Sequence, residues 1–309
     1  MSTAGFADRP YLIVANRWAG SGKAHGLIGA VEAALGHAPS AIIEPDLTPA
    51  FAERLNDALA HAMPSAPVAR PPLLVCIGGD GTLSLAFDAV REPAAMVLAA
   101  IPCGSGNDFA LTLGISSRAQ ALDLLRHGVV RRIDFGTVVG RRFLNCVGMG
   151  LDAEVAVMAA RIRARGLAKG FSYYLAALRS LLSIKPVGAT VCTNAITMRF
   201  DDLVMMTIGN GAWYGGGFRG APDAWLDDGM LDCYAFRDVP GLLRRLALMQ
   251  RIRAGAHPSE PNVTALRTDR LTVAFDRDVA MHVDGELGQI KETEIGIVPG
   301  GATVLAPTA

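Results

Sequence analysis

The sequence predicts an α/β region built on a parallel sheet, followed by an all-β region, and three observations carry this prediction. From residue 11 to residue 134, short apolar runs alternate with amphipathic stretches of helix length, which is the order expected of βαβ units. After residue 134, short apolar runs follow one another with turn residues between them, which favours an antiparallel sandwich. The length of 309 residues suits one large domain or two smaller ones, and a 51% hydrophobic content supports a packed core.

Continuous apolar runs predict five buried strands in the α/β region. They lie at residues 11–15, 41–44, 73–77, 97–101 and 130–134. Helical spacing of apolar residues predicts four helices between these strands, at residues 27–35, 49–62, 83–90 and 118–127. Ligands of parallel sheets bind at the carboxyl ends of the strands, so the loops that follow the strands are the expected location of a site.

The all-β region begins with a predicted hairpin, in which strands at 137–139 and 143–147 flank a turn at 140–142. Helices are predicted from 153 to about 183 and at 242–253. The remaining predicted strands lie at residues 190–192, 196–200, 203–208, 231–236, 271–275, 280–283 and 294–298, with a tight turn at Asp201-Asp202. We place the boundary so that residues 1–136 form the first domain and residues 137–309 the second, and leave open a return of the C-terminal tail to the first domain.

Charge and composition exclude several classes of protein. The 29 basic and 29 acidic residues give a net charge of zero, which argues against a dedicated nucleic-acid-binding protein. No apolar run approaches the ~18 residues of a spanning helix, and the N-terminus lacks the apolar segment of a signal peptide. The five cysteines match no metal or redox spacing and are expected to be reduced. We therefore expect a cytoplasmic protein.

A glycine-rich loop follows each of three predicted strands. The first, Asn-Arg-Trp-Ala-Gly-Ser-Gly-Lys at residues 16–23, lets backbone N–H groups approach a phosphate, with Lys23 as a nearby positive charge. It departs from the P-loop pattern at Arg17 and Ala24, so an ordinary turn is the alternative. The second, Gly-Gly-Asp-Gly-Thr at residues 78–82, brings Asp80 beside a polyphosphate, which requires a divalent cation between the two. A helix cap is the alternative role for Asp80.

The third loop, at residues 102–110, offers Ser105 and Asn107 for phosphate or ribose contacts. Asp108 in this loop either faces the site or caps the following helix. One loop of this kind is common in proteins, but three at the same edge of one parallel sheet predict a nucleotide site.

The same loops carry a resemblance to a known family. Residues 78–82 together with 102–110 resemble the diacylglycerol kinase catalytic-domain family of lipid kinases, which includes sphingosine and ceramide kinases and is distantly similar to NAD kinases. Further matching segments follow in the same order: 134–136, 143–152, 209–210, 215–217, 221–222, 227–232 and 283–286. The resemblance covers nearly the whole chain.

The resemblance implies a Rossmann-like nucleotide domain followed by a β-sandwich lipid domain, with the active site in the cleft between them. It implies ATP as phosphate donor, Mg²⁺ as metal, and the hydroxyl of a membrane lipid as acceptor. Diacylglycerol, a sphingoid base and a ceramide-like lipid are the candidate acceptors. The residues expected to contact the nucleotide are Asn16, Gly20, Lys23, Glu44, Gly78, Gly79, Asp80, Gly81, Thr82, Leu83, Ser84, Gly104, Ser105 and Asn107. For Glu44, facing solvent is the alternative.

The catalytic residues implied by the resemblance are Asp284, Glu286 and Asp80. Asp284 stands where the family has its general base, which would accept the proton of the lipid hydroxyl. Glu286 lies beside it. Because Asp284 is followed by glycine, a hairpin turn is the alternative reading of this position.

The resemblance also implies two magnesium sites. Asp80, Asp108 and Asp134 match acidic positions around the magnesium of the active site. Asp228, with the backbone carbonyls of Trp225 and Met230, matches a second, structural magnesium site. Phosphoryl transfer relies on positioning and charge neutralisation more than on covalent catalysis, so such a set of residues suits the reaction.

Two basic stretches predict peripheral contact with an anionic membrane at the inner face of the bilayer. Residues 155–185 contain six basic and no acidic side chains, and residues 237–253 contain five basic side chains against Asp238. The solvated face of an ordinary amphipathic helix is the alternative. Trp213 and Tyr214 either line a lipid entry or pack in the sandwich. A homodimer is left open.

The leading hypothesis is therefore an ATP- and magnesium-dependent lipid kinase. Two alternatives remain, an NAD kinase-like enzyme and a catalytically silent nucleotide- or lipid-binding protein of the same fold.

Overall fold

The structure is a computed structural model that describes residues 6–308 apart from 18, 23, 64–69, 164–175, 177, 178 and 184. The chain divides into two compact units. The first comprises Met1–Phe135 and Pro299–Ala309, and the second comprises Gly136–Val298. Two strands, β5 (Val129–Val138) and β13 (Glu286–Ala306), contribute residues to both units.

The first unit contains a parallel sheet. Its strands are β1 (Tyr11–Ala15), β2 (Ala41–Ile43), β3 (Leu73–Gly78) and β4 (Val97–Pro102). β1 pairs in parallel with β2 and β3, β3 with β4, and β4 with the C-terminal end of β13 through Val304 and Leu98. Every residue of β1, β3 and β4 is buried, as expected of parallel strands covered on both faces.

Among the described residues of this unit, five α-helices lie between or after the strands along the chain. They are α1 (Ala24–Leu35), α2 (Pro49–Ala62), α3 (Asp80–Ala89), α4 (Asp108–Thr112) and α5 (Arg118–His127). Proline at the first position of α2 suits a helix start, where its missing N–H has no intrahelical partner. The side chain of Ser117 caps α5 by accepting a hydrogen bond from the backbone N–H of Gln120.

The second unit is antiparallel. Its strands are β6 (Arg141–Phe143), β7 (Cys146–Gly150), β8 (Val187–Thr193), β9 (Thr197–Gly209), β10 (Leu231–Arg237), β11 (Val263–Thr268), β12 (Arg270–Val283) and the start of β13. Their order is β11-β10-β9-β7-β12, and β8 pairs with both β9 and β12. Two α-helices of this unit have bounds within the described residues, α6 (Leu151–Arg163) and α7 (Leu242–Ala254).

The structure differs from the sequence-based prediction at five places in this unit. Asp201-Asp202 is not a turn, because β9 continues through it from Thr197 to Gly209, although the pairing with β8 shifts register between Phe200 and Leu203. The strands predicted at 271–275 and 280–283 are one strand, β12, with an irregularity between Ala274 and Val279. The first hairpin turns at Val139-Gly140, both with positive φ, rather than at 140–142. The strand predicted at 143–147 is interrupted between β6 and β7, and β11 was not predicted.

Candidate active site

The second and third glycine-rich loops pack directly against each other. A Cβ atom on Gly104 would lie 2.5 Å from the Cα of Gly79, and a Cβ on Gly78 would lie 2.5 Å from the side chain of Thr82. Asp80, the first residue of α3, accepts a hydrogen bond of 3.1 Å from the backbone N–H of Phe109 in α4. Contact between the loops therefore requires the absence of a side chain at Gly79 and Gly104, and Gly78 leaves room for Thr82.

Asn107 closes the third loop on itself. Its backbone is left-handed, with φ of 58°, a conformation that asparagine tolerates better than most residues. Its Oδ1 accepts a hydrogen bond of 2.8 Å from the N–H of Gly104, and its Nδ2 donates one of 3.1 Å to the carbonyl of Gly104. Ser105 is exposed, whereas Asp108 is buried at the start of α4.

A small cavity of about 220 Å³, open to solvent, lies at these two loops in the first unit. Gly78, Gly79, Asp80, Leu83 and Asn107 line it together with residues of β3 and β4. The structure thus brings together residues predicted from the second and third loops. Three other residues were predicted to contact the nucleotide. Of these, Gly81 is exposed, whereas Thr82 and Ser84 are buried in the first turns of α3.

The first loop meets the second strand through an ion pair. Arg17 donates from Nε to Oε1 of Glu44 at 2.6 Å and from Nη2 to Oε2, so the guanidinium engages both carboxylate oxygens. This partner was not foreseen for Glu44. Asn16 donates its backbone N–H to the carbonyl of Ile77 at the end of β3, and Gly20 lies in a short 3₁₀ helix. Lys23 lies outside the described residues.

Asp134 holds the C-terminal segment of the first unit. Its Oδ1 accepts a hydrogen bond of 2.6 Å from the N–H of Gly300, and Arg132 donates to the carbonyl of the same residue. Within the part of the chain that the structure describes, no group of three or more His, Cys, Asp or Glu side chains is placed to hold a metal ion. Among the described residues, Asp80, Asp108 and Asp134 are therefore not gathered into one ligand set, and a magnesium ion held by them stays a prediction.

At the second predicted metal site, the guanidinium of Arg267 lies beside the acidic residues. Asp228 accepts a hydrogen bond from the N–H of Met230 at 2.9 Å and pairs through Oδ2 with the guanidinium of Arg267. Nε of Arg267 lies 3.8 Å from Oδ2 of the buried Asp232. Burial raises the pKa of Asp232 to about 6, with Arg267 opposing the rise. Asp228 is thus paired with a guanidinium, and a metal ion held by Asp228 with the carbonyls of Trp225 and Met230 stays a prediction. Trp225 is exposed.

Asp284 lies in the two-residue turn between β12 and β13. Asp284 and Gly285 both have positive φ, 47° and 90°, and Val283 pairs with Glu286 across the turn. The carboxylate accepts three backbone hydrogen bonds, from Leu144 at 2.7 Å, Asn145 at 3.0 Å and Cys146 at 2.8 Å. Asp284 therefore adopts the hairpin conformation and also fixes the segment between β6 and β7. Glu286 is partly exposed at the start of β13.

Two buried asparagines extend this network. Asn210 donates from Nδ2 to the carbonyl of Leu144 at 2.7 Å and from its backbone N–H to the carbonyl of Asn145 at 2.9 Å. Asn145 donates from Nδ2 to the carbonyl of Trp213. Sequence reasoning gave neither asparagine a role at the site, although a polar residue at the end of an apolar strand was the available signal.

An apolar pocket of about 740 Å³, including space open to solvent, lies within the second unit. Its walls come from β9, β10, α6 and α7, with the aromatic rings of Tyr214, Phe218 and Phe236 among them. The wall from α7 includes Arg245, Leu248, Met249 and Ile252, a helical spacing visible in the sequence. Polar groups are few, and Arg245 pairs with Asp238 at 3.0 Å. Such a lining suits an elongated apolar ligand.

The outer face of α7 carries both charge and an exposed leucine. Leu243 is 82% exposed. Of the five basic residues predicted at 237–253, two are paired, Arg245 with Asp238 and Arg251 with Glu260. Several residues of the first basic stretch, including Arg165 and Lys169, lie outside the described residues. None of the helices that are described is both long enough and apolar enough to cross a bilayer.

Comparison with known proteins agrees with this architecture. Residues 10–138 match the model of the diacylglycerol kinase catalytic domain, and residues 145–306 match that of the YegS C-terminal NAD kinase beta sandwich-like domain. A protein of Stenotrophomonas maltophilia named "Probable lipid kinase YegS-like" is 30% identical over 248 residues, which are 76% of this chain and 79% of the relative. A "Diacylglycerol kinase" of Bacillus subtilis is 27% identical over 78% of this chain and 77% of its own.

A solved structure shows the same fold. The crystal structure of a diacylglycerol kinase from Bacillus anthracis superposes with a TM-score of 0.69 at 19% identity, covering 96% of this chain and 97% of that one. The two units and the two family models together define a lipid kinase with a C-terminal β-sandwich-like domain. The chain belongs to the diacylglycerol kinase family, and YegS-like lipid kinases are among the relatives of this chain.

Proposed function

We propose that the protein transfers the γ-phosphate of ATP to the hydroxyl of a membrane lipid of the diacylglycerol, sphingoid or ceramide type. The observation that carries this proposal is the apolar pocket of the second unit, in a chain whose first unit presents glycine-rich loops at the ends of parallel strands. The names of the relatives, diacylglycerol kinase and lipid kinase, support the same reaction.

The pocket supplies a place for the acyl chain of such a lipid. Its wall is almost wholly hydrocarbon and aromatic, so it favours a chain that leaves water and gives little for a sugar or nucleotide to bind. An NAD kinase, by contrast, needs polar contacts for two ribose rings and a pyrophosphate. The apolar lining therefore favours the lipid over NAD as the acceptor.

The loops of the first unit would hold the phosphates of ATP. Gly78, Gly79 and Asp80 line a cavity there, and the backbone of glycine residues permits close approach of a polyphosphate. Because Asp80, Asp108 and Asp134 do not form a ligand set among the described residues, we propose that Mg²⁺ arrives as the counter-ion of ATP. We also propose that this first domain is a Rossmann-like nucleotide-binding domain.

The chemistry requires one base and one leaving group. The lipid oxygen forms a bond to the γ-phosphorus while the bond from that phosphorus to the β–γ bridging oxygen breaks, and ADP leaves. The hydroxyl proton passes to Asp284, whose carboxylate three backbone N–H groups hold in one orientation. Glu286, two residues on, adds negative charge near the base.

We also propose peripheral binding to the anionic inner face of the cytoplasmic membrane through α7. The exposed Leu243 would enter the lipid interface, and the neighbouring Arg244 and Arg253 would face lipid phosphates. The same helix forms a wall of the apolar pocket, so docking would bring the pocket to the bilayer that contains the substrate.

The test is transfer of label from [γ-³²P]ATP in the presence of Mg²⁺ to a panel of lipids in mixed micelles, with NAD as a parallel acceptor. We expect labelled lipid and unlabelled NAD. Labelled NAD without labelled lipid would establish the NAD kinase alternative. Nucleotide binding with no labelled product in either arm would establish the silent binding protein.

A further inference from the structure

Two buried residues, Leu144 and Asn145, link β6 to β7 without belonging to a strand. Buried backbone N–H and C=O groups need hydrogen-bond partners, and residues outside a strand ladder have to find them elsewhere in the fold. The partners of this link come from two polar residues distant in the sequence, Asn210 and Asp284.

Two successive peptide units of the link are bonded on both sides. In the first unit, the carbonyl of Leu144 accepts a hydrogen bond of 2.7 Å from Nδ2 of Asn210. The N–H of the same unit, which belongs to Asn145, donates to Oδ1 of Asp284 at 3.0 Å. In the second unit, the carbonyl of Asn145 accepts from the backbone N–H of Asn210 at 2.9 Å. Its N–H, which belongs to Cys146, donates to the same Oδ1 at 2.8 Å. Both peptide units therefore lie between Asn210 and the carboxylate.

These hydrogen bonds act in series on Asp284. A carbonyl that accepts a hydrogen bond polarises its own amide, so the N–H of that amide becomes a stronger donor. Both series that begin at Asn210 end on one carboxylate oxygen, which fixes Oδ1 and with it the plane of the carboxylate. Asn210 is fully buried, so bulk water does not compete for the carbonyl that its amide holds.

The same link is attached to the apolar pocket. Nδ2 of Asn145 donates to the carbonyl of Trp213. The next residue, Tyr214, lines the pocket and forms a β-bridge with Phe218, which lines it as well. The residues that orient Asp284 therefore also hold one wall of the pocket proposed for the lipid.

We propose that Asn210 is a positioning residue for the general base. Through the two peptide units of the link, it orients the carboxylate of Asp284 and strengthens the N–H groups that stabilise its charged form. The inference rests on the proposed function, in which Asp284 accepts the proton of the lipid hydroxyl. Without the amide of Asn210, the carbonyl of Leu144 would lose this bond in a buried place, and the link would shift to recover a partner. Asp284 would then lose both its orientation and the strength of its donors.

The first experiment titrates the carboxyl group of Asp284 by ¹³C NMR, with the signal assigned by its absence from Asp284→Asn. Asn210→Leu keeps a side chain of similar size but removes the donor. The pH at which the carboxyl group is half-protonated should rise by about one unit in this variant, because hydrogen bonds to the charged form favour that form. The other titratable groups beside the turn, His282, Glu286 and the thiol of Cys146, are the same in wild type and variant.

The matched control is Asn262→Leu. Nδ2 of Asn262 also donates to a backbone carbonyl of the second unit, that of Arg237 at 3.1 Å, but Asn262 makes no bond to the link between β6 and β7. It should leave the titration midpoint of Asp284 unchanged. Asn210→Ser is a second variant, because its hydroxyl is too short to reach the carbonyl of Leu144 and its small polar side chain cannot overpack the site. It should raise the midpoint in the same direction.

The second experiment measures kcat and KM for dioctanoylglycerol and for ATP. Asn210→Leu should lower kcat about tenfold, the loss expected for one hydrogen bond, and leave both KM values unchanged. The acid limb of the kcat profile should move to higher pH together with the titration midpoint. A purely structural role for Asn210 would lower Tm and leave the acid limb in place.

An unchanged midpoint in the folded Asn210 variants, or an equal rise in Asn262→Leu, would overturn the inference. Thermal unfolding establishes which variants are folded. The titration requires no substrate, so it separates this inference from the proposed function. If no lipid is phosphorylated, the proposed function fails. A raised midpoint then still supports Asn210 as the residue that orients Asp284, and an unchanged midpoint refutes it.

Discussion

Replacing Asp284 by asparagine should affect stability as well as catalysis. In the native turn, Oδ2 accepts the N–H of Leu144, and Oδ1 accepts those of Asn145 and Cys146. An asparagine keeps the left-handed backbone and one acceptor oxygen, but its NH₂ group faces a backbone donor. At least one hydrogen bond to a charged acceptor is lost, which costs about 1.5–3 kcal/mol.

That loss can be measured by thermal unfolding. For a unit of this size each kcal/mol shifts Tm by about 2–4 °C, so Asp284→Asn should lower Tm by about 3–12 °C. Glu286→Gln, which removes the same charge two residues away, is the control for Tm alone and should leave it within about 1 °C. At a temperature where Asp284→Asn is folded, turnover should be abolished and nucleotide binding retained. An unchanged Tm would refute the structural reasoning, and normal turnover by folded protein would refute the role of Asp284 as base.

Three further predictions concern other parts of the molecule. Gly104→Ala should lower the free energy of unfolding by about 1–3 kcal/mol and weaken nucleotide binding, because its Cβ meets the backbone of the neighbouring glycine-rich loop. Urea unfolding and nucleotide titration measure the two effects. Gly29→Ala is the control, because a Cβ there has no atom within 4 Å. Burial lowers the pKa of His257 to about 4, so the folded state favours the neutral imidazole. The stability that the neutral imidazole contributes is therefore present above pH 6.5 and is lost as the pH falls toward 4. The pH dependence of Tm should be shallower in His257→Gln. Leu243→Glu should weaken binding to anionic vesicles about tenfold or more in a sedimentation assay, whereas Leu47→Glu, at an equally exposed position, should not.

Each of these predictions has an outcome that contradicts it. Gly104→Ala with wild-type stability would show that the loops are not held by close backbone contact. Parallel pH profiles for wild type and His257→Gln would remove His257 as a source of acid sensitivity. Equal vesicle binding by the two leucine variants would mean that α7 does not contact the bilayer.

Local patterns in the sequence predicted much of the first unit. The continuous apolar runs at 11–15, 73–77 and 97–101 are confirmed as strands, and their parallel pairing is confirmed as well. Runs of this kind need burial on both faces, which few other arrangements provide. The helices at 49–62 and 118–127 are confirmed to the residue, since proline and a serine cap mark their starts.

Pairing partners overrode local signals in the second unit. The prediction of a turn at Asp201-Asp202 was wrong because strands on both sides of β9 hold it extended, and acidic side chains are tolerated on an exposed strand face. Cross-strand pairing of this kind depends on residues far away in the sequence. The hydrogen bonds of Asp284 could not be predicted from local sequence for the same reason, since their donors lie about 140 residues earlier in the chain.

The site was foreseen as a set of loops, but its internal contacts were not. The glycines at 78, 79 and 104 were interpreted as space for a polyphosphate. Gly79 and Gly104 also allow the two loops to touch, and Gly78 leaves room for Thr82 in its own loop. The pair of Arg17 with Glu44, the pair of Arg267 with Asp228, and the hydrogen bonds that connect Asn210 with Asp284 depend on side-chain proximity across the fold. The nucleotide contacts, the metal ligands and the position of the active site between the domains stay predictions.

The most direct test of the central claim is phosphate transfer to dioctanoylglycerol by wild-type protein and by Leu248→Trp, which fills the apolar pocket from α7. We expect a labelled phospholipid product from the wild type. In the variant we expect a loss of at least tenfold in lipid labelling, with nucleotide binding and Tm retained. A wild type that labels no lipid, or a variant that labels lipid at the wild-type rate, would contradict the claim that this pocket serves a lipid kinase.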